Sequence, residues 1–189
     1  MIPPAWKTCT ENELWLYVSW HLAAAGIQTV LVGGAVVAIY TEGLYRSGDL
    51  DIVPDSFTRS RIPEVMRSLG FIQEKSRYYK HPECSHLFLD FPQGPVELGE
   101  EYPVVPDQIH HEGQILRLLS PTDCVKDRLA AYIHWQSRAG FRQALLVCRR
   151  QADRVDLEKV RLWCETEGGL AAFDELLQYL QSSTDLTNP

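Results

Sequence analysis

The sequence lacks a long hydrophobic run. No apolar stretch approaches the roughly 20 residues that a membrane-spanning helix needs. The first residues, "MIPPAWKTCTENE", do not show the basic-then-apolar pattern of a secretory signal. We therefore expect a cytoplasmic protein that has no membrane partner.

Paired cysteines and excess positive charge are also missing. The five cysteines are scattered and never form a C-x-x-C pair, which indicates reduced thiols instead of a disulfide framework. The net charge is −7, and this disfavours unspecific binding to a nucleic-acid backbone. The segment "HPECSH" offers zinc donor atoms in His81, Cys84 and His86, but it lacks a second paired half, so zinc is the less favoured interpretation.

The order of predicted elements indicates an α/β protein with a mixed α+β sheet. A capping box at Thr10–Glu13 predicts a first helix. Strands are expected at "IQTVLV", "DLDIV", "GFIQE", "RYYKH", "HLFLDF" and "PVELG", with short helices after Gly34 and over residues 58–69. The stretch "EEYPVVPDQIHHEGQ" resembles a linking loop.

The C-terminal part is predicted to be helical. Ser120 as N-cap and Pro121 at the first helical position begin one helix. Further helices are expected over about 141–150, 156–167 and 171–180. These patterns divide the chain into an α/β core, residues 1–118, and a helical C-terminal subdomain, residues 119–189.

Two aspartates one residue apart predict a metal site. In a strand, Asp49 and Asp51 point to the same face, with Cα atoms about 6.6 Å apart. Two carboxylates on one face repel each other unless a cation lies between them. Mg²⁺ prefers carboxylate oxygens and leaves open positions for substrate phosphates. Leu50 and Ile52 face the other way and anchor the strand in the core.

Two glycines between a strand and a helix predict a phosphate site. Gly33 and Gly34 place backbone N–H groups at the start of a helix, where an anion is favoured. Glycine also lets a ligand approach the backbone closely. Each motif alone is weak evidence, because tight turns and solvated Asp-x-Asp pairs are common. Their combination between apolar strands is more specific.

The segment "GG" followed by a short helix and "RSGDLDIV" resembles the nucleotidyltransferase fold of the DNA polymerase beta superfamily. Small bacterial members, AbiEii-type toxins and related nucleotidyltransferase-like proteins, resemble it more closely through the pattern from Arg46 to Asp51. The segment "LSPTDCVKDRLAAYIHW" is also similar to the helix that opens the C-terminal part of such proteins. The resemblance covers about residues 25–140.

This resemblance implies phosphoryl-transfer chemistry. Mg²⁺ would be held by Asp49, Asp51 and a third carboxylate, which also activates the attacking hydroxyl. Asp90 in "HLFLDF" is the first candidate for that third acid, and Glu97 in "PVELG" is the second. The nucleotide-binding residues would be Gly33, Gly34, Arg46 and Ser47. Arg46 as a loop cation and Ser47 as a turn cap are the structural alternatives.

Two functions remain open at the level of sequence. One is a Mg²⁺-dependent nucleotidyltransferase that moves a nucleotidyl group from an NTP to a hydroxyl of a small molecule, protein or RNA. This enzyme could belong to a toxin–antitoxin system and have a partner protein. The other is a degenerate, non-enzymatic binding protein or antitoxin. A dinucleotide-binding domain is disfavoured because no G-x-G-x-x-G follows a strand.

Overall fold

The computed structural model describes residues 1–99 and 104–182. It divides into two compact units. The first unit comprises Met1–Val96 and Val105–Leu119, and the second comprises Glu97–Val104 and Ser120–Pro189. No helix in the described residues is long and apolar enough to cross a membrane.

The first unit is built on a mixed sheet with seven strands among the described residues. The strands are β1 (Thr29–Val32), β2 (Asp49–Pro54), β3 (Ile72–Lys75), β4 (Tyr78–Lys80), β5 (Phe88–Asp90), β6 (Asp107–His111) and β7 (Gln114–Leu118). They lie in the order β3-β4-β5-β2-β1-β7-β6. β2 runs antiparallel to β1 and parallel to β5, and β7 runs parallel to β1. The predicted mixed α/β class is therefore confirmed.

Three helices accompany this sheet: α1 (Glu11–Ala24), α2 (Gly34–Tyr40) and α3 (Ile62–Ser68). The capping box that begins α1 is present, since the Thr10 side chain accepts from the Glu13 N–H and the Glu13 carboxylate accepts from the Thr10 N–H at 2.7 Å. Fully buried apolar side chains fill the core of the unit. They include Leu14, Trp15, Leu22, Leu31, Leu50, Ile52 and Leu89.

The linking loop predicted for "EEYPVVPDQIHHEGQ" is wrong from Asp107 onward, because β6 and β7 form an antiparallel hairpin there. Glu112 and Gly113 both have positive φ, 43° and 80°, as a two-residue type I′ turn requires. β6 is an edge strand with mostly exposed side chains, so it has none of the apolar alternation that marks a strand in sequence. Residues 100–103 of the segment lie outside the described residues.

The predicted strand "PVELG" is also wrong. Only Leu98 forms an isolated bridge there, and Glu97 is exposed and outside any strand. The segment contains Pro95 and Gly99, which interrupt regular pairing.

The second unit contains four helices among its described residues: α4 (Pro121–Trp135), α5 (Arg138–Arg150), α6 (Leu157–Thr166) and α7 (Leu170–Gln181). Ser120 caps α4 as predicted, because its side chain accepts from the Asp123 N–H at 3.1 Å. α5 begins three residues earlier than predicted, since Ser137 provides a similar cap by accepting from the Gly140 N–H.

Candidate active site

Two aspartates of β2 lie on one face of the sheet in the first unit. Asp49 and Asp51 are half-buried, while Leu50 and Ile52 between and beyond them are fully buried on the opposite face. Asp51 pairs with Val32, the last residue of β1. The strand alternation expected from the sequence is therefore present, and it places both carboxylates beside the end of β1.

Asp90 of β5 joins the two carboxylates of β2. The parallel pairing of β5 with β2 sets Asp90 opposite Asp51 and Phe88 opposite Asp49. Paired residues on neighbouring strands lie on the same face, about 4.8 Å apart. The three carboxylates of Asp49, Asp51 and Asp90, which the sequence predicts to be metal ligands, thus lie on one face of the sheet; their role as ligands stays a prediction. Glu97, the second candidate, belongs to the other unit and is exposed.

The environment of Asp90 is unusual for a carboxylate. Its side chain is 7% exposed, and burial raises its pKa; the Arg77 guanidinium opposes this shift, and Asp49 adds to it. The Nε atom of Arg77 lies 2.9 Å from Oδ1 of Asp90. This contact is an ion pair by distance but does not have hydrogen-bond geometry, so Oδ1 is a buried oxygen with no hydrogen bond among the described residues.

Arg77 could not be anticipated from the sequence. It lies in the turn between β3 and β4, where "SR" indicates only a turn. The antiparallel pairing of β4 with β5, with Tyr78 opposite Asp90, brings the residue before Tyr78 within reach of the carboxylate. Arg77 also donates to the Tyr78 hydroxyl at 3.1 Å.

Gly33 and Gly34 lie against these acidic side chains with no room for a Cβ atom. Gly33 follows β1 with φ 74°, a backbone conformation that glycine adopts without strain. A Cβ at Gly33 would be 2.5 Å from Oδ2 of Asp51, and one at Gly34 would be 2.8 Å from Oγ of Ser47. The two glycines thus keep the backbone close to Asp51 and Ser47.

Ser47 connects the preceding loop to the carboxylates. It is buried, and its Oγ donates to Oδ1 of Asp49 at 3.0 Å. Its backbone N–H donates to Oε1 of Glu11 at 2.7 Å. The Arg46 Nε donates to the same Glu11 oxygen at 3.0 Å, and the Arg46 side chain is 54% exposed. Ser47 therefore fixes the orientation of Asp49, while Arg46 forms an ion pair with Glu11.

Glu11 is a second residue that sequence reasoning missed. It is 2% exposed and lies in the first turn of α1. In the sequence it stands inside the Thr10–Glu13 capping box, where an acidic residue is already explained by the helix dipole. Only the packing of α1 against the loop before β2 reveals its role as the acceptor for Arg46 and Ser47.

The donor chemistry suits a hard divalent cation, although the oxygen atoms of Asp49, Asp51 and Asp90 do not all lie within 4.8 Å of one another and an ion would have to draw them together. Three carboxylates supply only oxygen ligands, which Mg²⁺ and similar ions prefer. Oδ1 of the buried Asp90 carboxylate has an ion-pair partner in Arg77 but no hydrogen bond among the described residues. The absence of side chains at Gly33 and Gly34 allows the turn after β1 to pack directly against Asp51 and Ser47.

No family model and no curated protein sequence matches the chain. Solved structures do match over most of its length. An antigenic nucleotidyltransferase-like protein from Paracoccidioides brasiliensis superposes with a TM-score of 0.58 at 13% identity, over 87% of this chain and 92% of that one. ANT(2″)-Ia in complex with adenylyl-2″-tobramycin gives 0.53 at 15% identity, over 86% and 94%.

A third structure, the lincosamide antibiotic adenylyltransferase LnuA with lincomycin bound, gives a TM-score of 0.50 at 15% identity, over 75% of this chain and 98% of that one. The chain therefore has the nucleotidyltransferase fold, as the motif around Asp49 and Asp51 predicted. The narrower resemblance to AbiEii-type toxins is not addressed by these structures and stays a prediction.

Proposed function

We propose that this protein is a metal-dependent nucleotidyltransferase that moves a nucleotidyl group from an NTP to an acceptor hydroxyl. The observation that carries the proposal is the placement of Asp49, Asp51 and Asp90 on one sheet face, with the turn at Gly33 and Gly34 packed against Asp51 and Ser47. The fold shared with known nucleotidyltransferases supports it.

Asp49, Asp51 and Asp90 would hold the divalent metal, with Mg²⁺ as the expected ion. When bound, the metal supplies charge neutralisation for the triphosphate. Gly33 and Gly34, at the start of α2, would offer backbone N–H groups to the triphosphate. Ser47 keeps Asp49 oriented through its hydrogen bond. Arg46, more than half exposed, remains able to contact a phosphate from the loop.

We assign Asp90 as the general base of the transfer step. The acceptor oxygen forms a bond to the α-phosphorus while the bond between the α-phosphorus and the leaving pyrophosphate breaks. The proton of the acceptor hydroxyl passes to the Asp90 carboxylate. A carboxylate within reach of the acceptor hydroxyl can take up this proton as a general base.

A small-molecule hydroxyl is the acceptor that we favour. Two of the similar structures carry names that specify this chemistry: one is a complex with adenylyl-2″-tobramycin and the other is a lincosamide adenylyltransferase. We place the activity in the cytoplasm, where NTPs are abundant. A protein or RNA acceptor, including one within a toxin–antitoxin pair, is a different outcome of the same test.

The experiment incubates the protein with each α-labelled NTP, Mg²⁺ and a cell extract, then separates small-molecule, protein and RNA fractions. Label in the small-molecule fraction supports the favoured acceptor. The matched control carries Asp49→Asn and Asp51→Asn together. Equal labelling by this control, or no labelled fraction with any NTP in any extract, contradicts the proposed transfer.

The non-enzymatic alternative also has an observation in its favour. The Arg77 guanidinium lies 2.9 Å from Asp90, so a protein cation already compensates the third carboxylate. A degenerate protein would still bind Mg²⁺–NTP and would transfer nothing. Thermal stabilisation by Mg²⁺–NTP without labelled product would select this alternative.

A further inference from the structure

Two buried thiols and one imidazole converge at a place distant in sequence from the acidic motif. Sγ of Cys9 lies 3.9 Å from Sγ of Cys84, and Sγ of Cys84 lies 3.8 Å from Nδ1 of His86. The three donor atoms all lie within 4.8 Å of one another. Cys9 and Cys84 are each 1% exposed, and His86 is exposed.

These separations match a tetrahedral metal site. With Zn–S bonds of about 2.3 Å and Zn–N bonds of about 2.0–2.1 Å, tetrahedral ligand atoms are about 3.6–3.8 Å apart. The Sγ–Sγ distance of 3.9 Å lies just above that range, and the Cys84–His86 distance of 3.8 Å lies at its upper end. A disulfide would need only the two sulfurs and a separation of about 2.05 Å, and it would leave the imidazole without a role.

The second hydrogen bond of His86 orients the ring as a ligand. Its Nε2 atom lies 2.8 Å from the carbonyl oxygen of Cys9. A carbonyl oxygen can only accept, so Nε2 carries the proton and donates. In the neutral imidazole, Nδ1 then has its lone pair available beside Cys84. Ligating histidines almost always donate their other N–H in this way, which fixes the tautomer.

His81, the third donor that the sequence suggested, is not part of this group. Its ring stacks on Trp6 with centroids 3.7 Å apart, and its Nδ1 accepts from the Glu83 N–H. Cys9, 75 residues before Cys84 in the chain, takes its place. The sequence could not show this, because the "HPECSH" segment lacks a partner until the fold brings the residues before α1 against it.

We propose that Cys9, Cys84 and His86 bind one zinc ion, which fastens the segment before α1 to the loop between β4 and β5. The cluster comprises three protein donors among the described residues, so the fourth tetrahedral position falls to water or an external ligand. The sulfur and nitrogen donors select zinc over Mg²⁺, in contrast to the carboxylates of the candidate active site.

At this position the ion would hold two segments that lead to the candidate active site. Glu11, which holds the loop of Ser47, follows Cys9 by two residues, and Asp90 follows His86 by four. One ion would therefore fix both segments that deliver these acidic residues to the candidate active site. The zinc proposal stands on its own donor atoms and does not depend on nucleotidyl transfer.

The test uses the full chain, kept reduced, stripped with a chelator and then titrated with Zn²⁺ and, separately, with Co²⁺. We expect one metal ion per chain, a thiolate-to-cobalt charge-transfer band and the visible bands of tetrahedral cobalt. Zinc should also raise the melting temperature by mass action. Mg²⁺ at the same concentration should not compete.

Three variants sharpen the result. His86→Ala alters an exposed side chain and should weaken zinc binding at least about tenfold. Cys84→Ser should remove the charge-transfer contribution of that sulfur. Cys148→Ser, which changes a buried cysteine of the other unit, is the matched control and should bind zinc as the wild type does.

Three outcomes would overturn the zinc site. The first is a stripped protein that takes up no stoichiometric zinc at micromolar concentration. The second is an unchanged affinity in the His86→Ala variant, which stays informative even if Cys84→Ser does not fold. The third is a Cys9–Cys84 disulfide in metal-free protein isolated under thiol-blocking conditions, detected by peptide mass mapping.

Discussion

Asp90 lies directly opposite Asp51 in the parallel pairing of β5 with β2. Because paired residues share a face, the third carboxylate comes from a different strand and yet meets the first two without any loop to position it. Carboxylates held by regular strands are placed more rigidly than those on loops. The same pairing brings like charges to one face, and the Arg77 guanidinium offsets part of the repulsion.

The first prediction concerns the two aspartates of β2. Asp49→Asn and Asp51→Asn should each reduce nucleotidyl transfer at least about a hundredfold, since an amide keeps the shape but loses the charge that holds the metal. In the wild type, Mg²⁺–NTP should raise the melting temperature, and in both variants this rise should vanish. Activity assays and melting curves measure the two effects.

The control for these variants is Asp153→Asn, which changes an exposed aspartate in the turn before α6. It should keep wild-type transfer and ligand-induced stabilisation. Retained activity in both Asn variants of β2 would rule out metal-dependent catalysis by this site.

The second prediction tests the glycine backbone. Gly34→Ala places a Cβ 2.8 Å from Oγ of Ser47 and must displace the hydroxyl that orients Asp49. NTP-induced stabilisation should fall, and KM for NTP should rise. Gly48→Ala is the matched control, because a Cβ there meets nothing within 4 Å. Equal behaviour of the two variants would show that the backbone at Gly34 is not part of a nucleotide site.

The third prediction follows from the raised pKa of Asp90. The ordinary aspartate pKa is about 3.9, so the unfolded chain releases the Asp90 proton at a lower pH than the folded state does. The free energy of unfolding therefore falls as the pH rises from about 3.9 to the raised pKa of Asp90. Asp90→Asn should therefore stabilise the metal-free protein at pH 7 relative to the wild type, and the advantage should shrink towards pH 4. Urea unfolding in the presence of a chelator measures the difference at each pH.

Arg77→Gln provides the opposing variant for Asp90. The Arg77 guanidinium lowers the Asp90 pKa. Its removal should therefore raise that pKa further and lower the free energy of unfolding at pH 7. A stability difference between Asp90→Asn and wild type that is the same at every pH would contradict the assignment.

The fourth prediction concerns Glu11. Glu11→Ala leaves the N–H of the buried Ser47 without its acceptor, which should cost about 1–3 kcal/mol. For a chain of this length each kcal/mol lowers the melting temperature by about 2–4 °C. Transfer should fall as well, because Ser47 no longer holds Asp49 firmly. Glu64→Ala, at an exposed site in the first turn of α3, should cost less than about 1 kcal/mol; an equal loss would refute the role of Glu11.

Much of the fold could be predicted from local patterns. The capping box of α1, the cap of α4 and the alternation of β2 are all written in neighbouring residues. The hairpin of β6 and β7 could not be predicted, because an exposed edge strand needs no apolar face and its turn signal is the single glycine of "EG".

The candidate site was predictable only in part, for the same reason. Gly33, Gly34, Asp49 and Asp51 form a local motif with known strand geometry. The prediction of Asp90 required only an acidic residue on a later apolar strand. Glu11, Arg77 and Cys9 act through partners that are 13 to 75 residues distant in sequence, and only tertiary packing shows those partners.

The position of β1 in the strand order has a consequence for synthesis on the ribosome. β1, which ends beside Asp51, has β2 on one side and β7 on the other. β7 emerges about 85 residues after β1, which at 5–20 residues per second takes roughly 4–17 s. Throughout that interval the edge of β1 that β7 will cover has no native partner, and an unpaired strand edge of this kind is a template for wrong pairing.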